Sequence, residues 1–220
     1  MPDFSTFTSI LRQLFIGLGL SAAIFALTLL FTFPLGLLIA LGRMSKNIVL
    51  RNLMRIYISI LRGTPLMLQL IVVYFGPYYL FGWSLKNYPA FVAVIIAFVL
   101  NYSAYFAEIY RAGISSIPVG QYEAAEVLGY TRFQTFMKII LPQVVKRIVP
   151  PITNEVITLV KDTSLAQVLA VQEMFTIAKQ LANTQASLVA LIVAGIFYYV
   201  FNFVVAFAMA RIEAKLDYYR

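Results

Sequence analysis

Residues 123–142 read EAAEVLGYTRFQTFMKIILP. The pattern is helical from Gln121 as far as Gly129, a residue suited to ending a helix. Thr131, with Gln134 three residues on, has the spacing of a capping box and opens a second helix, which Pro142 is expected to close. Upstream, Glu108–Ile117 continues an apolar run until Pro118 and Gly120 break it. Neither short helix is long enough to cross a bilayer. Ala124 and Ala125 permit close backbone approach, Glu123 and Glu126 offer carboxylates to basic partners, and Tyr130, Phe133 and Phe136 supply apolar area. The pair suits docking onto another protein; the competing reading is a solvated loop packed on its own chain.

The surrounding chain decides where that docking takes place. Of 220 residues 61% are hydrophobic and 12% charged, which leaves too little polar surface for a water-soluble domain. Zero Cys and zero His remove disulfides, thiol nucleophiles, imidazole bases and the usual zinc sites. The net charge of +8 is read as loops on the cytoplasmic face of a membrane, with no nucleic acid partner.

Charge-free runs occupy Gln13–Gly42, Gly63–Leu85, Asn87–Ala107 and Gln180–Ala210, each long enough to cross about 30 Å of hydrocarbon. A fifth run, Ile148–Val171, carries Glu155, Lys161 and Asp162, and Pro150-Pro151 reads as its first turn. Thr64 and Pro65 read as the N-cap and first-turn proline of the second span. The expectation is five spans in a single domain, residues 1–220, with residues 108–147 holding a cytoplasmic loop. Thirteen basic residues border the first loop, the long third segment and the C-terminus, against Arg12, Lys86 and Lys179 on the other side. This places the N-terminus outside and the C-terminus in the cytoplasm. No cleavable signal is expected, because residues 1–8 contain an acid and no base.

Glu123-Ala124-Ala125, Gly129, Ile139 and Leu141-Pro142 match the EAA loop of ATP-binding-cassette (ABC) importer permeases. RGTPLMLQL (62–70), AEIYRAGISSIPVGQYEAA (107–125) and KDTSL (161–165) resemble the polar amino acid uptake branch of that family. The resemblance implies an all-α integral membrane protein of the type I, MetI-like permease fold in a bacterial or archaeal cytoplasmic membrane. It implies a second permease subunit, identical or not, two ATPase subunits that bind ATP and Mg, an extracytoplasmic amino acid binding protein, and no cofactor on this chain. Glu123 would contact the ATPase and Gly129 would set the angle between the short helices. Ala124, Ala125, Glu126, Tyr130, Thr131 and Phe133 complete the expected coupling surface. The chain contains no G-x-x-x-x-G-K-[ST] phosphate loop, so energy has to arrive from a partner or a gradient.

Ionisable groups inside a bilayer cost about 2.5–3.5 kcal/mol each and usually face a pathway or a partner. At 100° per residue Glu155 and Asp162 fall within about 20° of one another, with Thr158 about 60° away, while Lys161 points about 120° off this stripe. Two carboxylates in a low-dielectric cavity favour a cationic amino acid and reject an acidic one. Asn101, Ser103, Gln69 and Lys161 are further candidates for the substrate route; for Asn101 and Ser103 interhelical hydrogen bonding is the competing use, and for Asp162 a structural pairing. The reading is a permease of an ATP-driven importer of polar, basic amino acids, with no covalent chemistry of its own. The alternative is a gradient-driven secondary transporter, whose carboxylates would carry protons.

Overall fold

The structure is a computed structural model that describes residues 4–216, and every element in it is helical. Asp3 and Arg220, which enter the charge reading, lie outside the described residues. Helix α1 (Phe4–Arg43) has 40 residues and is about 60 Å long. It therefore extends the expected first span well beyond the hydrocarbon. Helix α2 (Ile48–Gly63) is capped by Asn47, whose side-chain Oδ1 accepts from the amides of Val49 and Leu50 at 2.9 and 3.3 Å.

Helix α3 (Leu66–Phe81) turns away from α2 by 112°. Pro65 forces Thr64 into extended backbone, which stops α2. Thr64 thus does not cap α3: its hydroxyl donates backwards to the Ile60 carbonyl at 2.8 Å, and Pro65 takes the N-cap position instead of the first turn. At 16 residues α3 is about 24 Å long, so the expected span Gly63–Leu85 is half of a broken pair. A short 3₁₀ turn, Leu85–Asn87, leads into α4 (Ala90–Ser115), the central helix, which packs along α1 and touches α2, α3 and α7. Phe98, Tyr102 and Phe106 of α4 are buried in this core.

Helices α5 (Val119–Val127) and α6 (Arg132–Thr135) form the short pair. Pro142 does not close the second of them. A π turn, Phe136–Ile140, joins α6 directly to α7 (Leu141–Asp162), and the Leu141 amide donates five residues back to Phe136. Pro142, which has no amide to donate, sits in the first turn of α7 directly after the π turn, where the hydrogen-bond ladder changes register. Pro150 and Pro151 lie inside α7, not at its start. The expected helix Ile148–Val171 ends at Asp162, where a 3₁₀ segment, Thr163–Leu169, tightens the chain before a left-handed turn at Ala170 (φ 53°).

The run Gln180–Ala210 is likewise two helices, α8 (Met174–Gln185) and α9 (Val189–Leu216), separated by left-handed Ala186 (φ 46°). No glycine or proline marks that break, so hydropathy alone reads through it. Among the described residues α1, α4 and α9 are long and apolar enough to cross a membrane, and a fourth crossing arises if α2 and α3 count as one bent span. A second core cluster, including Ile10, Leu14, Met174, Ala178 and Val193, ties the start of α1 to α8 and α9.

Candidate functional site: a charged cavity and a projecting loop

The projecting loop is built by two interlocking caps. Helix α5 ends in a Schellman arrangement, with the Tyr130 amide donating to Ala125 O (3.0 Å) and the Gly129 amide to Glu126 O (2.9 Å). This requires a left-handed residue, and Gly129 supplies it at φ +77°. Thr131 then starts α6 with the reciprocal box: Gln134 N–H donates to Thr131 Oγ1 (3.3 Å) and Thr131 N–H to Gln134 Oε1 (2.9 Å). Ile117, Ile140 and Val144 pack beneath the pair.

Of the loop residues expected to couple, Ala125 is buried and serves the fold. Ala124, Glu123, Glu126, Tyr130, Thr131 and Phe133 are exposed. Neither Glu123 nor Glu126 has an ion-pair partner among the described residues. Val127, Leu128 and Phe133 stand out at 87%, 73% and 74% exposure. The first two are missing from the sequence-based coupling surface; their signal is two large apolar residues beside the helix-ending glycine, where no buried face demands them.

A cavity of about 400 Å³ opens between α4 and α7, lined by Arg62, Tyr105, Glu108, Gly113, Arg147 and Glu155 among others. Gly113 sets its inner end: a Cβ there would run into Ile148 Cγ2, so α4 and α7 meet almost backbone to side chain. Most charges around the cavity are committed. Arg111 Nε forks to both oxygens of Glu108 at 3.0 Å, and Arg147 donates to the Ser116 carbonyl. Arg62 lies over the Tyr105 ring, 5.1 Å from its centroid. Glu155 is half-buried and has no hydrogen bond or ion pair among the described residues.

Tertiary structure separates the proposed acidic stripe. Asp162 accepts from Tyr102 Oη at 2.8 Å and does not line this cavity, whereas Glu155 does. Thr158 is exposed and donates to Asn154 O (2.9 Å). Lys161 faces a different cavity of about 670 Å³, shared with Ser164, Lys179, Asn183 and Tyr198. Asn101 and Gln69 do come together, but at the α2–α3 bend: Asn101 Nδ2 donates to Gln69 Oε1 (3.0 Å) and Leu61 O (3.1 Å), while Gln69 Nε2 reaches Leu61 O, Thr64 O and Thr64 Oγ1. Ser103 shares a 2.8 Å hydrogen bond with Tyr57 Oη.

Glu173, absent from the sequence reading, is fully buried. It caps α8 by accepting from the Phe175 and Thr176 amides (2.8 and 2.7 Å), from Thr176 Oγ1 (2.8 Å) and from Tyr198 Oη (2.9 Å), with Ser21 Oγ at 3.4 Å. All its donors are neutral, so the carboxylate is held by hydrogen bonds and the helix N-terminus. The signal was a lone acid between apolar runs with Thr three residues on.

Residues 32–218 match the family of binding-protein-dependent transport system inner membrane components. The chain is 40% identical over 195 residues to the L-cystine transport system permease protein TcyB of Bacillus subtilis (strain 168), covering 88% of this chain and 82% of that one. It is 36% identical over 215 residues to the arginine transport system permease protein ArtQ of the same organism, covering 97% of each. A solved amino acid ABC transporter with histidines superposes at a TM-score of 0.88 with 30% identity, over 98% of this chain and 99% of that one. The all-helical architecture is the MetI-like, type I importer permease fold. The chain accordingly belongs to the inner-membrane permease family of binding-protein-dependent transport systems, among its amino acid ABC importer permeases.

Proposed function

We propose that this permease imports a basic amino acid, and that α5, Gly129 and α6 transmit the work of a separate ATPase subunit, which binds ATP and Mg. The observation that supports the coupling half is the apolar, uncovered tip of the loop: Val127, Leu128 and Phe133 project from a capped pair of helices, flanked by Glu123 and Glu126, which have no ion pair among the described residues. Large exposed apolar side chains in a polar rim are what a protein interface needs at its centre. Because α6 runs without a break through the π turn into α7, a displacement at the loop is carried along that helix towards Glu155.

The substrate half is supported by Glu155, a half-buried carboxylate with no hydrogen bond or ion pair among the described residues, in the lining of a cavity large enough for an amino acid. Family membership sets aside the gradient-driven alternative. In this reading α3 and α7 complete five spans, the N-terminus is outside and the C-terminus cytoplasmic, and a second permease subunit and an extracytoplasmic binding protein complete the importer. Asp162, Asn101, Gln69 and Ser103 then hold neighbouring helices, and neither they nor Thr158 and Lys161 line the Glu155 cavity in this conformation.

The assembled importer provides the test. Glu123→Arg and Phe133→Ser are expected to lower ATPase pull-down and ATP-driven uptake together, at least tenfold for the pair. Glu155→Gln should leave assembly intact and weaken L-arginine binding at least tenfold relative to L-glutamine. Full uptake by the loop variants overturns the coupling; unchanged arginine preference in Glu155→Gln overturns the substrate class.

A further inference from the structure

We infer that Arg62 is the anchor for the backbone carboxylate of the transported amino acid, a substrate-binding residue that lines the same cavity as Glu155. The inference rests on the reading that Glu155 faces substrate. Every amino acid brings at least one ammonium and one carboxylate, so a site lined by acids alone leaves the carboxylate unpaired and repelled, at a cost that no side-chain contact recovers. The cavity must therefore present a cation. Three arginines lie in or beside it: Arg111 is neutralised by the Glu108 carboxylate, and Arg147 is oriented by one hydrogen bond to the Ser116 carbonyl. Arg62 alone of the three has neither a hydrogen bond nor an ion pair among the described residues.

Its geometry suits the task. Stacking on Tyr105 occupies the face of the guanidinium and leaves its in-plane N–H groups at the edge. Those groups form the planar fork that binds a carboxylate with two parallel hydrogen bonds. The same stack fixes the fork before substrate arrives, which lowers the ordering cost of binding. The two groups left without hydrogen bond or ion pair on this wall, Arg62 and Glu155, thus have the charges of a zwitterion reversed. Arg62 sits at the end of α2, beside the 112° bend into α3, so the anchor belongs to the same joint that orients both helices.

The test is equilibrium binding to the assembled importer in lipid nanodiscs, using L-arginine, L-glutamine and L-cystine, each beside its carboxamide, which keeps the amine and side chain but loses the negative charge. The wild type is expected to prefer acid over amide at least tenfold for whichever of the three it binds. Arg62→Gln should abolish that preference by weakening the acid, with amide affinity changed less than threefold. Tyr105→Leu, which retains the charge and removes the stack, should reduce the preference partially, and serves if Arg62→Gln fails to assemble. Equal weakening of acid and amide in Arg62→Gln, no discrimination by the wild type, or no binding of any of the three overturns the inference, the first of these identifying Arg62 as a structural partner only. Glu155→Gln separates the two readings: loss of arginine affinity with the acid-to-amide ratio kept supports Glu155 as the cation site, whereas no loss there, with the ratio still erased in Arg62→Gln, sinks the Glu155 reading and leaves the anchor standing.

Discussion

Asn101 shows what a single polar residue does in an apolar helix. It is buried to 5% exposure and donates both to the Gln69 side chain and to the Leu61 carbonyl, an acceptor that the end of α2 leaves without an intrahelical donor. Gln69 Nε2 in turn shares its two hydrogens among Leu61 O, Thr64 O and Thr64 Oγ1. The pair therefore fastens the α2–α3 bend to α4, using backbone groups that the Pro65 break exposed. Asn101→Leu preserves volume and removes both donations, leaving Gln69 Oε1 unsatisfied at a cost of about 1–3 kcal/mol. A lower thermal midpoint in detergent is expected, with L-arginine affinity held within threefold; a normal midpoint with lost affinity would move Asn101 from the scaffold to the substrate contact. At the same scale Tyr102 explains Asp162: a buried phenol that donates to the carboxylate gives it a neutral partner, so Asp162 needs no cation and is not drawn into the cavity.

At the scale of elements, the joints carry more of the design than the spans. Helix α8 is short and is held in place by the Glu173 cap, which reaches across to Ser21 of α1 and Tyr198 of α9. One carboxylate thus fixes three helices, and removing it strips the N-cap and orphans the Tyr198 hydroxyl together. Glu173→Ala is expected to destabilise the protein by about 2–4 kcal/mol, from the lost cap and the lost charge-assisted hydrogen bonds. Glu173→Gln keeps an acceptor for the α8 amides and should cost less than half as much. Thermal unfolding of the two variants checks the order; equal losses would show that charge, not capping, holds α8. The π turn between α6 and α7 is a joint of the opposite kind, since it keeps the loop and α7 on one continuous rod where a proline break was expected.

For the whole molecule, the distribution of basic residues leads to the expectation that the loop tip, Lys46 and the C-terminal end of α9 share one membrane face and the 3₁₀ turn at Leu85–Asn87 the other. The absence of cysteine makes this directly measurable. With a membrane-impermeant maleimide on intact cells, Ser84→Cys should label, while Lys46→Cys and Gln121→Cys should label only after permeabilisation; the reverse pattern inverts the topology. How much of this was legible before any coordinates depends on the range of the interaction. The Gly129 stop and the Thr131–Gln134 cap were legible, because each acts over three or four residues, and composition alone required a bilayer; the Thr64 cap and the Pro142 stop, read from the same kind of signal, gave way to the α2–α3 bend and the π turn. The breaks at Ala186 and after Asp162 were not, since alanine and threonine carry no punctuation and only packing decides that the chain turns there. Nor was the site. Helical angles place Glu155 and Asp162 on one stripe, yet only Glu155 lines the cavity: Asp162 is held by Tyr102, 60 positions earlier in the chain, and Arg62, 93 positions before Glu155, is brought to the same cavity by the end of α2. Local chemistry written in consecutive residues determined the helical class, the loop caps and the family; the breaks inside the apolar runs and the pairing of buried charge, which depend on packing and distance through space, were decided by the tertiary structure.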